Sequence, residues 1–251
     1  MKIDHTALRA AFLSAQSGKQ SAHSAEGRSN PSAWDYDYLL LRELRRDIES
    51  LLDAIPSPGG PASRIALDVG SFRSPYAGLL RARGFETRTL DLTREHGADF
   101  AGTAEATGLP DASVDLVICT QVLEHTRAPW ACAREFQRIV RPGGWLLYSM
   151  PHIWFYHPHP GDYWRITQEG ALALCEEAGF TVRELRLQGG SLLAFGQIVN
   201  FLAYGVLGRR GQLLYRMINA ASSVADRVVP NALFSLNIAC LAMKPVDQGA
   251  R

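Results

Sequence analysis

The chain has almost no charge imbalance: 26 basic and 25 acidic side chains leave a formal net charge of +1 over 251 residues. Binding along a polyanion needs a basic excess, so nucleic acid is not an expected partner. Cysteine is scarce as well. Cys119, Cys132, Cys175 and Cys240 stand far apart in apolar surroundings, and no C-x-x-C pair occurs. That argues against a disulfide framework or a zinc site and fits a reducing compartment. The G-x-G-x-x-G turn of a dinucleotide oxidoreductase is missing. So is the long apolar N-terminal run of a signal peptide, and the expected location is cytoplasmic.

What is present is a hydrophobic share of 47%, enough to bury a sizeable core in one domain with additions. Residues 1–33 read as a mobile segment: a short helix over Asp4–Ser14, then a Ser-, Gly-, Ala- and Gln-rich stretch to Ser32. Leu39, Leu40, Leu44, Ile48 and Leu51 fall at helical spacing within Trp34–Leu52, and Pro56-Ser-Pro-Gly-Gly-Pro61 ends that helix. Strands are predicted at Ile65–Val69, Glu86–Leu90, Ala98–Gly102, Val114–Thr120, Trp145–Ser149 and Thr181–Leu187. Helical patterns at Tyr76–Arg83, Ala128–Val140 and Gln168–Ala178 separate them. Such alternation implies an α/β fold, a doubly wound, mostly parallel sheet with right-handed crossovers.

The first strand ends in Asp68-Val-Gly70, where the backbone turns and a missing Cβ lets a ligand approach closely. About twenty residues later the second strand ends in Asp91, an acid placed to grip both hydroxyls of a ribose. Together they point to a nucleoside-containing cofactor across the carboxyl ends of parallel strands.

Gln188–Gly208 carries no charge and is followed by Arg209-Arg210 and a second amphipathic stretch up to Val228. Gln197, Asn200 and several glycines interrupt the run. The expectation for 188–233 is an apolar helical insertion or lid, with a homodimer contact or a membrane-surface contact through 188–229 left open and a transmembrane span disfavoured. Phe234–Met243 reads as a closing strand, so the chain divides as 1–33, 34–187, 188–233 and 234–251.

Leu67-Asp-Val-Gly70, Asp91, Gly102-Thr-Ala-Glu-Ala106, Leu109-Pro-Asp-Ala-Ser-Val-Asp-Leu-Val117 and Gln121-Val-Leu-Glu-His125 resemble, in that order, class I S-adenosylmethionine-dependent methyltransferases. Arg141-Pro-Gly-Gly-Trp145 and Glu177-Ala-Gly-Phe180 continue the likeness, which covers about Ile65–Leu187. It implies a Rossmann-like seven-stranded sheet whose last strand is antiparallel, with S-adenosylmethionine at the topological switch point. His152–Thr167 is similar to methyltransferases of glycan and natural-product pathways, which implies a small-molecule or glycan acceptor. Two positions depart from the family pattern. Phe72 stands where a second glycine is common, and Thr103 where an adenine-contacting Asp would be.

The resemblance implies cofactor contacts from Asp68, Gly70, Asp91, Leu92, Thr103, Ala104, Glu105 and Gln121. It puts the acceptor beside His152–Thr167, just past the fifth strand. There His157 or His159, paired with Asp162, suits removal of a hydroxyl proton, with His125 as a further candidate. His152, Tyr156, Tyr163, Trp164 and Arg165, with Trp154 and Phe155, would wall the acceptor pocket. His152, His157, His159 and Asp162 also suit zinc or iron, but the intervening prolines and aromatics read as a shaped loop, and no metal is expected. Methyl transfer to oxygen, less favourably nitrogen, is the leading reading. The alternative is a catalytically inactive methyltransferase-like partner subunit, an option that Phe72 keeps open.

Overall fold

The computed structural model describes Thr6 and residues 25–57, 64–70, 73–95, 97–158 and 160–246. Phe72, His159 and the Asp4–Ser14 helix, apart from Thr6, lie outside the described residues. The elements are α1 (Ala25–Ser29), α2 (Tyr38–Asp53), β1 (Arg64–Val69), α3 (Ala77–Ala82), β2 (Phe85–Asp91), β3 (Phe100–Ala101) and β4 (Val114–Thr120). Then follow α4 (Pro129–Ile139), β5 (Val140–Pro151), α5 (Gln168–Glu177), β6 (Thr181–Gln188), α6 (Ser191–Leu207), α7 (Gln212–Val228) and β7 (Asn237–Met243). Short 3₁₀ turns occupy Leu123–His125 and Gly208–Gly211.

The strands form one seven-stranded sheet in the order β3-β2-β1-β4-β5-β7-β6. The first five pair in parallel, and β7 runs antiparallel between β5 and β6. Chain order reverses between β1 and β4, so their carboxyl ends diverge and leave a crevice. Strand periodicity sorts side chains to two cores. Leu67, Val69, Val117 and Cys119 face α4 and α5, with Phe136, Ile139 and Cys175. Ala66, Leu116 and Ile118 face the other side, with Ile48 and Leu51 of α2 and Leu80 of α3. All four cysteines are buried and unpaired; burial raises the Cys119 and Cys132 thiols, which suits packing rather than chemistry.

Two expectations need correction. Strand β5 starts at Val140 and ends at Pro151, longer at both ends than Trp145–Ser149, because Val140 pairs with Val114 of β4 and the antiparallel ladder with β7 continues to Pro151↔Asn237. The ordered body also begins before residue 34. Residues 25–29 are helical, and the Asn219 side-chain amide donates to the carbonyls of Ala33 and Asp35 at 2.9 and 3.0 Å.

The apolar insertion folds into two antiparallel-packed helices, α6 and α7. Their backbones approach so closely that a Cβ on Gly196 would overlap Ser222. The polar interruptions serve as ties. Gln197 accepts from the Leu40 amide at 3.1 Å and donates to the Tyr36 carbonyl at 2.9 Å, while Asn200 donates to Asn219 at 2.7 Å.

Candidate active site

The crevice at the β1/β4 switch opens into a cavity of about 850 Å³. One end is built from strand termini. Gly70 has φ +67°, and its amide donates to the Leu90 carbonyl at 2.8 Å, which locks β1's exit to β2. A Cβ at Gly70 would overlap Val122, so glycine is required twice over, by its φ and by the close approach. Asp91 ends β2 at the cavity rim; its Oδ1 accepts from the Leu92 amide at 2.8 Å and its carbonyl from the Gly102 amide at 2.9 Å. Leu92, Thr103, Ala104 and Glu105 continue the rim, with Ala104 buried and Thr103 exposed. The 103–107 turn is braced from below, since Thr107 donates through its amide and hydroxyl to Glu135 at 2.8 and 2.6 Å. Arg138, bonded to the same carboxylate, holds the Glu135 carboxyl down to about 2.

Asp68 lies one step below Gly70 and is 2% exposed. Burial pushes its carboxyl up to about 7, and the Ser74 hydroxyl, donating at 2.6 Å, offsets only part of that. Gln121 leaves β4 with φ +55°, a rare conformation for a side-chain-bearing residue, pinned by its amide to the Ser149 carbonyl at 3.0 Å.

The other end is the 152–167 loop folded over the 3₁₀ turn at Leu123–His125. His125 and His157 meet edge to face with ring centroids 4.9 Å apart. His125 Nδ1 faces the Gly161 carbonyl; His157 Nδ1 faces the Phe155 carbonyl at 3.0 Å and Asp162 Oδ2 at 3.3 Å. These acceptors assign the proton to Nδ1 in both rings and leave Nε2 as the acceptor nitrogen. Burial lowers His157 to about 4, so its ring is neutral at pH 7. Arg165 grips Asp162 with two nitrogens at 2.6 and 2.8 Å and also donates to the carbonyls of Trp154 and Phe155. Burial alone would raise the Asp162 carboxyl; Arg165, with the His157 amide and ring, holds it below the ordinary range.

Glu124 is 0% exposed, and neither carboxylate oxygen meets a hydrogen-bond partner among the described residues. Burial pushes it up to about 8. Glu124, His125 and His157 bring possible ligand atoms within 4.8 Å of one another. This trio differs from the set weighed on sequence, because Asp162 is taken up by Arg165 and His152 Nδ1 faces the Ile166 carbonyl at 2.8 Å.

Of the residues named from sequence, the cavity lining contains Gly70, Asp91, Leu92, Thr103, Ala104, Glu105, Gln121, His125, His157 and Tyr163. Asp68 sits beneath the lining; Asp162, Arg165 and His152 lie behind it, shaping the loop. Trp164 donates from its indole to the Thr126 carbonyl at 2.9 Å, and Tyr156 is exposed. Arg28, Tyr36 and Asp37 also reach the cavity. No sequence signal marked them, because they precede the first strand, Arg28 in the stretch that reads as tail and Tyr36 and Asp37 at the start of the expected Trp34–Leu52 helix.

Residues 67–148 match the family model described as a methyltransferase domain. Together with the switch-point cavity and the strand order, this decides the family of the core. It is a class I S-adenosylmethionine-dependent methyltransferase domain.

Among curated proteins, the methyltransferase domain is 35% identical over 122 residues to the malonyl-[acyl-carrier protein] O-methyltransferase of Methylococcus capsulatus, covering 42% of this chain and 44% of that protein. It is 33% identical over 99 residues to a methyltransferase of Mycobacterium sp. (strain KMS), covering 36% and 39%. The match thus spans less than half the length of these relatives. Among solved structures, the 1,6-didemethyltoxoflavin-N1-methyltransferase of Burkholderia thailandensis, with S-adenosylhomocysteine bound, aligns over 98% of this chain and 92% of its own at TM-score 0.54 and 13% identity. The [4+2]-cyclase SpnF aligns over 80% and 82% at TM-score 0.51 and 18% identity. At such identities these two show the shared fold. The site fits the family's cofactor: the glycine turn, the rim acid and the open cavity are all present at the carboxyl ends of β1 and β2.

Proposed function

We propose that the chain is an enzyme that moves a methyl group from S-adenosylmethionine to an oxygen, less favourably a nitrogen, of a sugar-containing or natural-product acceptor. The observation that carries this reading is the continuity of one cavity from Asp91 and Ala104 to His125, His157 and Tyr163. Bound S-adenosylmethionine supplies a methyl group already activated on a sulfonium. The chain's own tasks are therefore alignment, exclusion of water and handling of one proton. In this reading Asp91 takes the ribose hydroxyls, Gly70 gives the close approach, Asp68 and Gln121 set the turn beneath the methionine part, and Leu92, Thr103, Ala104 and Glu105 frame the base.

Oxygen is favoured by the paired imidazoles. A hydroxyl is a poor nucleophile until its proton leaves, and two rings with Nδ1 committed to backbone carbonyls, that of His157 neutral at pH 7, present Nε2 as proton acceptor. Trp154 and Tyr163 line the same cavity and would stack on a ring or sugar face. Asp162 acts at one remove, by fixing the His157 ring and the Arg165 anchor.

The test is transfer of labelled methyl to glycans, lipid-linked sugars and small phenols, followed by His125→Ala and His157→Ala on the acceptor found. At least one variant should lower kcat by ~10²–10⁴ with cofactor affinity intact. Near-normal turnover in both removes the base role. Calorimetric binding of S-adenosylmethionine with no acceptor methylated favours the inactive-subunit reading. Activity lost to EDTA and restored by zinc would place a metal on Glu124, His125 and His157.

A further inference from the structure

The α6–α7 hairpin is apolar on two sides, and among the described residues only one is used within the fold. Inward, Leu193 and Ala194 pack on Leu39 and Leu236. Outward, Phe195, Leu202 and Val206 on α6 and Leu213, Met217 and Val224 on α7 form stripes at helical spacing, each at least 60% exposed. A monomer in water seldom shows so large an apolar face without using it. By length and composition the 191–228 segment is apolar enough to cross a membrane. Its packing says otherwise. Each helix has 17 residues, about 25 Å at 1.5 Å per residue, short of a bilayer core. Buried Gln197 and Asn219 also bind both helices to the chain at Ala33–Leu40.

We propose that this face docks on an anionic lipid bilayer, with the hairpin lying in the boundary between headgroups and acyl chains. Charge decides the occupant. The segment 189–229 carries Arg209, Arg210, Arg216 and Arg227 against one acid, Asp226, hence +3 in a chain whose total is +1. The acid is spent within the fold, since Asp226 accepts from the amides of Gly190 and Leu193 at 3.0 and 3.2 Å at the start of α6. Arg209 and Arg210 are exposed at the turn between the two stripes, and neither makes an ion pair among the described residues. Exposed apolar side chains with arginines at their edge match an anionic membrane surface. A second copy laid against the same face would bring two basic edges together with no acid to meet them. The docking does not depend on the methyl-transfer reading.

The test uses the full chain and vesicles of phosphatidylcholine with about one third phosphatidylglycerol. The chain should sediment with them at low salt, and the partition coefficient should fall by roughly tenfold or more as salt rises, because surface charges are screened over about 10 Å at 0.1 M. Leu202→Glu with Val206→Glu, and separately Arg209→Glu with Arg210→Glu, should each lower it at least as far. All four side chains are exposed, so unchanged S-adenosylmethionine affinity in the variants shows an intact fold. Failure to sediment at low salt overturns the proposal. So does a lipid-free dimer that the Leu202→Glu, Val206→Glu variant dissociates, which would assign the face to a second copy.

Discussion

The two ends of the cavity are made in different ways. The end proposed for the cofactor consists of strand termini: Gly70 after β1, Asp91 closing β2 and Gln121 after β4, each placed by a ladder hydrogen bond of the sheet. The end proposed for the acceptor is a loop tied, among the described residues, by main-chain bonds only at His152, Ile153, Tyr163 and Ile166, and between those points side chains hold its shape: Arg165 on Asp162, Trp164 on Thr126 and Phe155 stacked on Phe201 of α6 at 3.7 Å. The lesson is that the first end should survive loss of single side chains, while the second should not. Under the proposed function, acceptor choice would change through a few loop residues with the other end left alone.

The largest effect expected is at the loop's anchor. Arg165→Ala leaves Asp162, with a side chain 1% exposed, as a buried carboxylate without its cation. Unfolding in urea should show a loss of about 3–5 kcal/mol at pH 7, or else selective disordering of the loop by hydrogen exchange. A variant with neither change would show that the loop does not need its side chains.

Glu124→Gln reverses the sign. In the folded chain Glu124 keeps its proton up to about pH 8, whereas in the unfolded chain it releases it near 4.5, so this group makes stability fall as pH rises through that window. The amide has no such titration. Whatever the fixed cost of the unpartnered amide, the variant should gain on the parent between pH 4 and pH 8.5 by on the order of 3–5 kcal/mol. A difference that stays flat with pH would mean that Glu124 is solvated or paired.

At the cofactor end, Asp91→Ala should weaken S-adenosylmethionine binding by about 2–3 kcal/mol in calorimetry while leaving the melting temperature nearly unchanged. A large stability loss there would erase the contrast between the two ends. The smallest effect expected is from Phe201→Leu, which removes the stack on Phe155 and should cost about 1 kcal/mol. Its value lies in the readout. KM for the acceptor should rise while cofactor affinity stays constant, because Phe201 stacks on the 152–167 loop and is not among the residues that line the cavity.

The alternation of strand and helix, the glycine turn, the rim acid and the order of motifs were all legible in the sequence, because they follow from period-2 and helical spacing and from the backbone needs of a turn. The apolar insertion was legible as apolar, and Gln197 and Asn200 as interruptions. Their task was not. Gln197 bonds to Leu40 and Asn219 to Ala33 across 157 and 186 positions, and no local rule pairs residues so far apart.

The same limit applies to the acceptor end. Histidines, an acid and aromatics in one short loop announced a functional surface, but their division of labour came from packing. Asp162 turned out to be Arg165's partner, His152 a brace to Ile166, and Glu124 the isolated carboxyl beside the two rings. Desolvation sets the state of Asp68, Glu124 and His157, and burial is a property of the assembled chain. The sequence by itself determined the sheet, its switch point and the cofactor rim, since each rests on contacts near in sequence or on ladder periodicity. Only the tertiary structure brought Arg28 and Tyr36 to the cavity, paired His125 with His157 and left one face of the hairpin uncovered by the described residues, because those depend on which surfaces meet once the core has closed.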